Sequence, residues 1–425
     1  MAPAPEAAAP RDTLFSPFRV RAFRFLWTAD LATASAIEME ILILGWYVLV
    51  ETGSVVMLAV LGAMPYIGTL FAPAAGMLGD RIGLRRLLIA MRAFYFCLAA
   101  TLATLAFLGL LTPIIVIAIA GLSGLARSSD IGMRSALCAE IMPVTLLMRA
   151  MGVSRTTADS ARAVGALTGA GLFGLLGIGP AFLVVASAHL FGCLMTFGAR
   201  SGPAASGDAP SAVTLTRPSP WREIILGLAY VWRTPHLMAA MWLAFLVNLC
   251  AFPLTSGLLP YVAREIYGLD QNGLALLVVC YALGSLIGSL TVSVFGARIR
   301  AGRTTMVTAV VWYGLLALFP HVPTQGAAMA MLAIIGLTQS LCMVPMAAML
   351  MRTASVEYRG RVMGARMLAI NSLPFGLLAA GPLIERIGFR VTITAYALFG
   401  LLLVIVIAIG WRRHLFPSDA PANRR

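Results

Sequence analysis

Apolar runs of about twenty residues, broken by short polar segments, set the pattern of the whole chain. Six lie near 25–50, 55–77, 87–108, 113–134, 150–176 and 180–199, and six more near 237–260, 273–296, 304–320, 325–350, 362–385 and 390–411. A helix crosses a bilayer with about 20 predominantly apolar residues. The pattern therefore predicts an all-α integral membrane protein with twelve transmembrane helices in two six-helix bundles. The polar stretch between the sets is rich in Ser, Gly, Pro and Ala and reads as a flexible linker. Trp221 to Arg233 then alternates aromatic and aliphatic residues with charges, as an interfacial amphipathic helix does. The expected division is a tail over 1–22, a bundle over 23–199, a linker over 200–236, a bundle over 237–411 and a tail over 412–425.

Composition supports the membrane reading. Hydrophobic residues make up 60% of the 425 and charged residues 11%, with a mean hydropathy of +0.91. A soluble surface needs roughly a quarter of its residues charged. All 31 cationic residues are arginine. Without lysine there is no Walker A phosphate-binding lysine and no Schiff base. The net charge of +14 is spread between apolar runs, not gathered on one basic face, so nucleic acid is not an expected partner. The six cysteines stand singly and read as small packing residues. There is no HExxH, no GxSxG and no metal-spaced group among the four histidines, so no enzyme, metal or cofactor chemistry is expected.

The arginines also orient the chain. With a cytoplasmic N-terminus, the inner segments collect Arg19, Arg21, Arg24, Arg81, Arg85, Arg86, Arg149 and Arg200, and later Arg298, Arg303, Arg352, Arg359 and Arg412. The opposite loops hold only Arg264, Arg386 and Arg390. The positive-inside bias thus predicts cytoplasmic termini, with MAPAPEAAAPRDT as a tail lacking the basic start of a secretory signal. An internal repeat accompanies this. At an offset of 212 residues, Gly124-Leu125-Ala126-Arg127-Ser128 lies over Gly336-Leu337-Thr338-Gln339-Ser340, and Arg149-Ala150-Met151-Gly152 over Arg361-Val362-Met363-Gly364. Gly76 likewise meets Gly288, and Gly169 meets Gly381. A parallel duplication of a six-helix unit places a binding site between the halves near the midplane.

The loop after the second span reads Gly76-Met77-Leu78-Gly79-Asp80-Arg81-Ile82-Gly83-Leu84-Arg85-Arg86. It resembles the GxLaDrxGrkxxl signature of the major facilitator superfamily. Gly76 and Gly79 permit close helix approach, Gly83 a tight turn, and Asp80 sets an anion among arginines able to hold lipid headgroups. Trp46 to Ser54 and Arg359-Gly360-Arg361-Val362-Met363-Gly364 are similar to stretches of the twelve-span drug:proton antiporter branch, which includes macrolide-efflux and siderophore-export proteins. The resemblance implies a cytoplasmic gate at Gly76, Gly79, Asp80, Arg81, Gly83, Arg85 and Arg86. Two departures stand out. Ala166 occupies the usual proline position of the fifth-span antiporter motif, and Pro113–Ala120 lacks the branch's fourth-span arginine.

Charges within spans are costly and mark sites of pairing or function. Arg127, Asp130 and Arg134 share one face of the fourth span, and Arg155, Asp159 and Arg162 one face of the fifth. Each aspartate can pair within its own helix and the two stripes can mesh, yet each keeps one excess positive charge, which Asp80, Glu140 or an anionic substrate could balance. The readings are a cytoplasmic-side salt-bridge lock or direct contact with substrate or proton. The first span carries Asp30, Glu38 and Glu40; the last two lie about 200° apart and cannot face one cavity. A carboxylate at mid-depth is suited to bind and release a proton, unless it pairs with a fifth-span arginine. His189 is a further titratable candidate. Trp46, Tyr66, Tyr95, Trp242, Asn248, Tyr281, Trp312, Gln339 and Asn371 are the expected cavity lining, suited to bulky amphiphiles.

The resemblance implies a monomeric, multi-pass transporter of a bacterial-type inner membrane that exports a small amphipathic molecule by alternating access in exchange for protons. Its partners are the small-molecule substrate, protons and membrane lipids. Proton-coupled uptake of a metabolite is the alternative within the fold, and a membrane sensor or intramembrane enzyme the alternative outside it.

Overall fold

The structure is a computed structural model and describes residues 16–71, 78–79, 81–199, 229–295, 300–353, 362, 366 and 368–411. A 3₁₀ turn at Ser16–Arg19 precedes α1 (Arg21–Thr52). Next come α2 (Val55–Ala63, continued as a 3₁₀ segment over Met64–Phe71), α3 (Leu84–Phe107), α4 (Pro113–Ile141), α5 (Val144–Leu176) and α6 (Ile178–Thr196). The second set is α7 (running to Ile266 from Pro235), α8 (Gln271–Phe295), α9 (Ala301–Leu318), α10 (Gln325–Thr353), α11 (Ser372–Ile387) and α12 (Phe389–Gly410). No strand occurs among the described residues. Ten of the helices are long and apolar enough to cross a membrane. Of the other two, α2 is the shorter apolar helix, and α5 carries Arg155, Asp159 and Arg162, which lower its hydropathy. These helices form the twelve-helix, two-bundle architecture. The expected linker over 200–236 lies outside the described residues up to 228, as do both tail ends, while 229–233 are helical.

Local sequence explains the joints. The α1–α2 turn needs Gly53, which sits at φ 61, and Ser54 then caps α2 by accepting from the Met57 N–H at 3.3 Å. Thr112 caps α4 in the same way, with Pro113 in the first turn. α7 departs from regular geometry. It contains π-helical turns at Val247–Ala251, Leu254–Leu258 and Val262–Ile266, with Pro253 and Pro260 among them. Proline removes an i→i−4 bond, and a wider turn accommodates its ring.

The duplication appears as repeated packing. A Cβ at Gly124 of α4 would run into the Met64 carbonyl of α2, and one at Gly336 of α10 would run into the Tyr281 carbonyl of α8. One turn on, Ser128 hydrogen-bonds Thr69 at 2.9 Å and Ser340 hydrogen-bonds Ser285 at 2.8 Å. The same small residues, 212 positions apart, thus let the same pair of helices touch in each half.

The two halves meet along α1, α2 and α5 on one side and α7, α8 and α11 on the other. Gly45 faces Pro260, Gly62 faces Gly257 and Leu377, and Gly381 faces Val56 and Ala59. Polar contacts close the seam at the end where α1 terminates. Arg264 Nη1 donates to the Leu49 carbonyl at 2.6 Å, and the Ser54 hydroxyl donates to Glu385 Oε1 at 3.1 Å.

Candidate functional site

Midway along α1, Glu38 points at α5, which comes close because Gly165 has no side chain; a Cβ there would lie 2.8 Å from the Ser35 carbonyl and 2.9 Å from Glu38 Cβ. Glu38 Oε1 pairs with Arg162 Nε at 3.5 Å. Arg162 also stands in the electrostatic field of Asp159, of Tyr66 from the first half and of Tyr281 from the second. An ion pair midway along α1 is therefore coupled electrostatically to one phenol from each half. One turn earlier on α5, Arg155 pairs with Asp159 at 3.3 Å.

Glu40, on the other side of α1, turns into the first bundle. Its Oε2 lies 3.9 Å from His189 Nε2, and the His189 ring lies 5.5 Å from that of Tyr95. Below them Asp30 is bridged by Arg92, which also donates to Thr196, and Arg134 Nε stands 3.8 Å from Asp30.

The expected stripes thus find their anions on α1. Arg134 turns to Asp30 and Arg162 to Glu38, while Asp159 pairs within its own helix as expected. Asp130 Oδ1 is buried without a hydrogen-bond partner, and Arg127 lies in the field of Tyr66 and Tyr95. Arg92 is the residue that the sequence reading missed. Its signal was plain, an arginine inside the apolar run near 87–108.

The expected lining divides. Tyr66 and Tyr281 both act electrostatically on Arg162, and Trp46 is buried against the core of the second half. Tyr95 faces the interior of the first bundle, not the seam. Trp312 is fully buried in the second bundle between Phe252 and Tyr313, as packing. Trp242 is 42% exposed beside Phe245 and lines an apolar outer groove with Trp232 and Leu368. These three miss because helices in lipid are apolar on both faces, so aromatic residues on the cavity, core and lipid sides look alike in sequence. Asn248 is held within α7, its amide donating to the Ala244 carbonyl at 2.8 Å. Gln339 is buried in α10 with Oε1 unpartnered, and Asn371 precedes α11.

In the α2–α3 loop, Gly79 is buried near Met133 and Gly83 sits at φ 98 before α3. Arg85 Nη1 donates to the Phe197 carbonyl at 3.3 Å, and Arg81 and Arg86 are exposed. Gly76, Asp80 and the stretch from Arg359 to Arg361 lie outside the described residues.

Comparison with known proteins gives this arrangement a context. A family model described as Major Facilitator Superfamily matches residues 26–375 and 254–424. The chain is 28% identical over 397 residues to the multidrug efflux pump Tap of Mycolicibacterium fortuitum, covering 89% of this chain and 93% of that one. It is 32% identical over 174 residues to Tap of Mycobacterium tuberculosis, covering 40% and 41%. Among solved structures, a POT family transporter in complex with a thioalcohol-conjugated peptide superposes with TM-score 0.73 at 13% identity, covering 93% and 97%. A bacterial homologue of the lysosomal transporter Spinster, inward-facing and unoccupied, gives TM-score 0.68 at 12% identity, covering 93% and 95%.

Proposed function

The chain belongs to the major facilitator superfamily, and from that premise we propose that it exports a small amphipathic molecule across a bacterial inner membrane in exchange for protons. Similarity to Tap over most of both chains supports efflux over uptake. The observation that carries the mechanism is the Glu38–Arg162 pair at the seam, with Tyr66 and Tyr281 beside it. Both halves contribute, so rocking of one bundle against the other changes the pair's surroundings.

The chemistry follows from charge balance. While Glu38 is ionised it neutralises Arg162. A proton on Glu38 removes the carboxylate that a cationic substrate would pair with and leaves the charge of Arg162 to repel it, so proton and cationic substrate compete at one place. A shift between two states needs only that each ligand bind them unequally. One net charge moved through 100 mV is worth roughly 2.3 kcal/mol, enough to sustain a concentration ratio of roughly fifty. With cytoplasmic termini, the seam end closed by Arg264 and Glu385 is the outer one. Tyr66, Tyr281 and Trp46 then offer aromatic surface to the substrate.

The test uses inverted membrane vesicles containing the full chain, with ethidium as probe. Respiration-driven uptake that collapses with a protonophore is expected, and Glu38→Gln removes the gradient-driven component. Uptake that ignores the protonophore, or that survives in Glu38→Gln, contradicts the coupling. Movement only in right-side-out vesicles favours uptake of a metabolite instead.

A further inference from the structure

A second polar interior lies on the opposite side of α1, inside the first bundle, where α1, α3 and α6 enclose a column of side chains. At its foot are Asp30, Arg92 and Thr196. One turn along, Thr33 stands against Gly192, where a Cβ would come within 2.5 Å of the Thr33 hydroxyl. At its head are Glu40, His189 and Tyr95. His189 is fully buried. Neither of its ring nitrogens has a hydrogen-bond partner, and the same holds for the Tyr95 hydroxyl, the Thr33 hydroxyl and Asp130 Oδ1. Buried polar atoms are normally satisfied, and a group of orphans together marks a place that takes up water or protons.

Foot and head differ in what they can do. At the foot, Asp30 stands between two guanidiniums that stay charged, so a carboxylate there always has a partner. At the head, Glu40 and His189 are both titratable and face each other at 3.9 Å. A proton on the imidazole creates an ion pair with Glu40, and its loss leaves a carboxylate beside a neutral ring. The groups along the column are Glu40 at the head and Asp30 at the foot from α1, Tyr95 at the head and Arg92 at the foot from α3, and Thr196 at the foot on α6 itself, where Cys193 donates to the Ile89 carbonyl. From α4, Asp130 and Arg127 act through Tyr95. The charged stripe of α5 pairs at the seam instead.

We propose that Glu40 and His189 together form a proton-binding site inside the first bundle, separate from the Glu38–Arg162 pair. The half would then carry two protonation sites on opposite faces of α1. This deepens the proton-driven reading, but occupancy of the site does not depend on transport.

Histidine is scarce enough for a direct measurement: His189, His236, His321 and His414 are the full set. In the full chain with His236, His321 and His414 replaced by Gln, nitrogen-15 labelling in lipid nanodiscs reads His189 alone. Its ring signals are expected to pass from the protonated to the neutral form across the pH series. Glu40→Gln is expected to move the midpoint down by about one pH unit or more, the coupling of an imidazolium to a carboxylate within 4–6 Å. Glu40→Asp, the milder variant should Glu40→Gln not fold, moves it in the same direction. Glu38→Gln leaves it in place. A ring that keeps one ionisation state throughout, or a titration that neither Glu40 variant moves, overturns the proposal. Failure of ethidium export leaves this readout intact, so the two readings fail separately.

Discussion

Arg92 shows most clearly what a single side chain does in this interior. It is wholly buried, it bridges Asp30, and it bonds the Gly192 carbonyl and Thr196 of α6, tying three helices together. Removing one partner of a buried pair leaves an uncompensated charge, at a cost of about 3–5 kcal/mol. Arg92→Leu is therefore expected to lower the thermal unfolding midpoint in detergent sharply and to reduce folded yield. Adding Asp30→Asn should restore part of the loss. An Arg92→Leu protein as stable as the parent contradicts this role. Glu38 behaves differently, because its side chain keeps 19% exposure and Arg162 35%. Pairs of that exposure contribute modestly to stability, so Glu38→Gln is expected to fold with nearly the parent's melting midpoint while losing gradient-driven transport. A large loss of stability in Glu38→Gln would recast the pair as structural.

At the scale of elements, the glycines of α4 and α10 decide how closely helices approach. Gly336→Ala and Gly124→Ala each put a methyl against a backbone carbonyl that cannot move without shifting its helix. Overpacking of this kind costs about 1–3 kcal/mol, measurable as a lower unfolding midpoint. Gly171→Ala of α5 meets nothing within 4 Å and is expected to be neutral or slightly stabilising. Equal effects at Gly171 and Gly336 would contradict the packing account. These helices were legible in the sequence because an apolar run of bilayer length has few other uses, and the repeat was legible because close packing demands the same small residues twice. The 3₁₀ continuation of α2 and the π-turns of α7 were not, since they depend on where helix meets helix. The site was half legible. Spacing put Glu38 and Glu40 on different faces, yet only the fold shows that one meets Arg162 at the seam and the other His189 within the bundle.

For the whole molecule, the decisive feature is that the two halves are latched at one end by few polar contacts. Arg264 reaches from α7 to the last turn of α1, and Ser54 at the start of α2 donates to Glu385 of α11. Along the rest of the described seam, Gly45, Gly62 and Gly381 let the two halves approach closely. An interface latched in this way is expected to open without unfolding either bundle, as the proposed rocking requires. Arg264→Gln is accordingly expected to raise the open-latch population and to leave each bundle folded, read by accessibility of a cysteine placed at Val55, which is buried beside the latch. No change in accessibility would mean that Arg264 does not hold the latch.

The most direct test of the account is a distance across that latch. Spin labels at Glu51→Cys and Arg386→Cys, both exposed positions flanking the contacts, report it by pulsed electron–electron resonance in a cysteine-free background. Two distance populations are expected, with proportions that change between acidic and alkaline pH in the parent and stay fixed in Glu38→Gln. A single distance at every pH, or a pH response undiminished in Glu38→Gln, would contradict the claim that protonation at the seam sets which way the two halves lean.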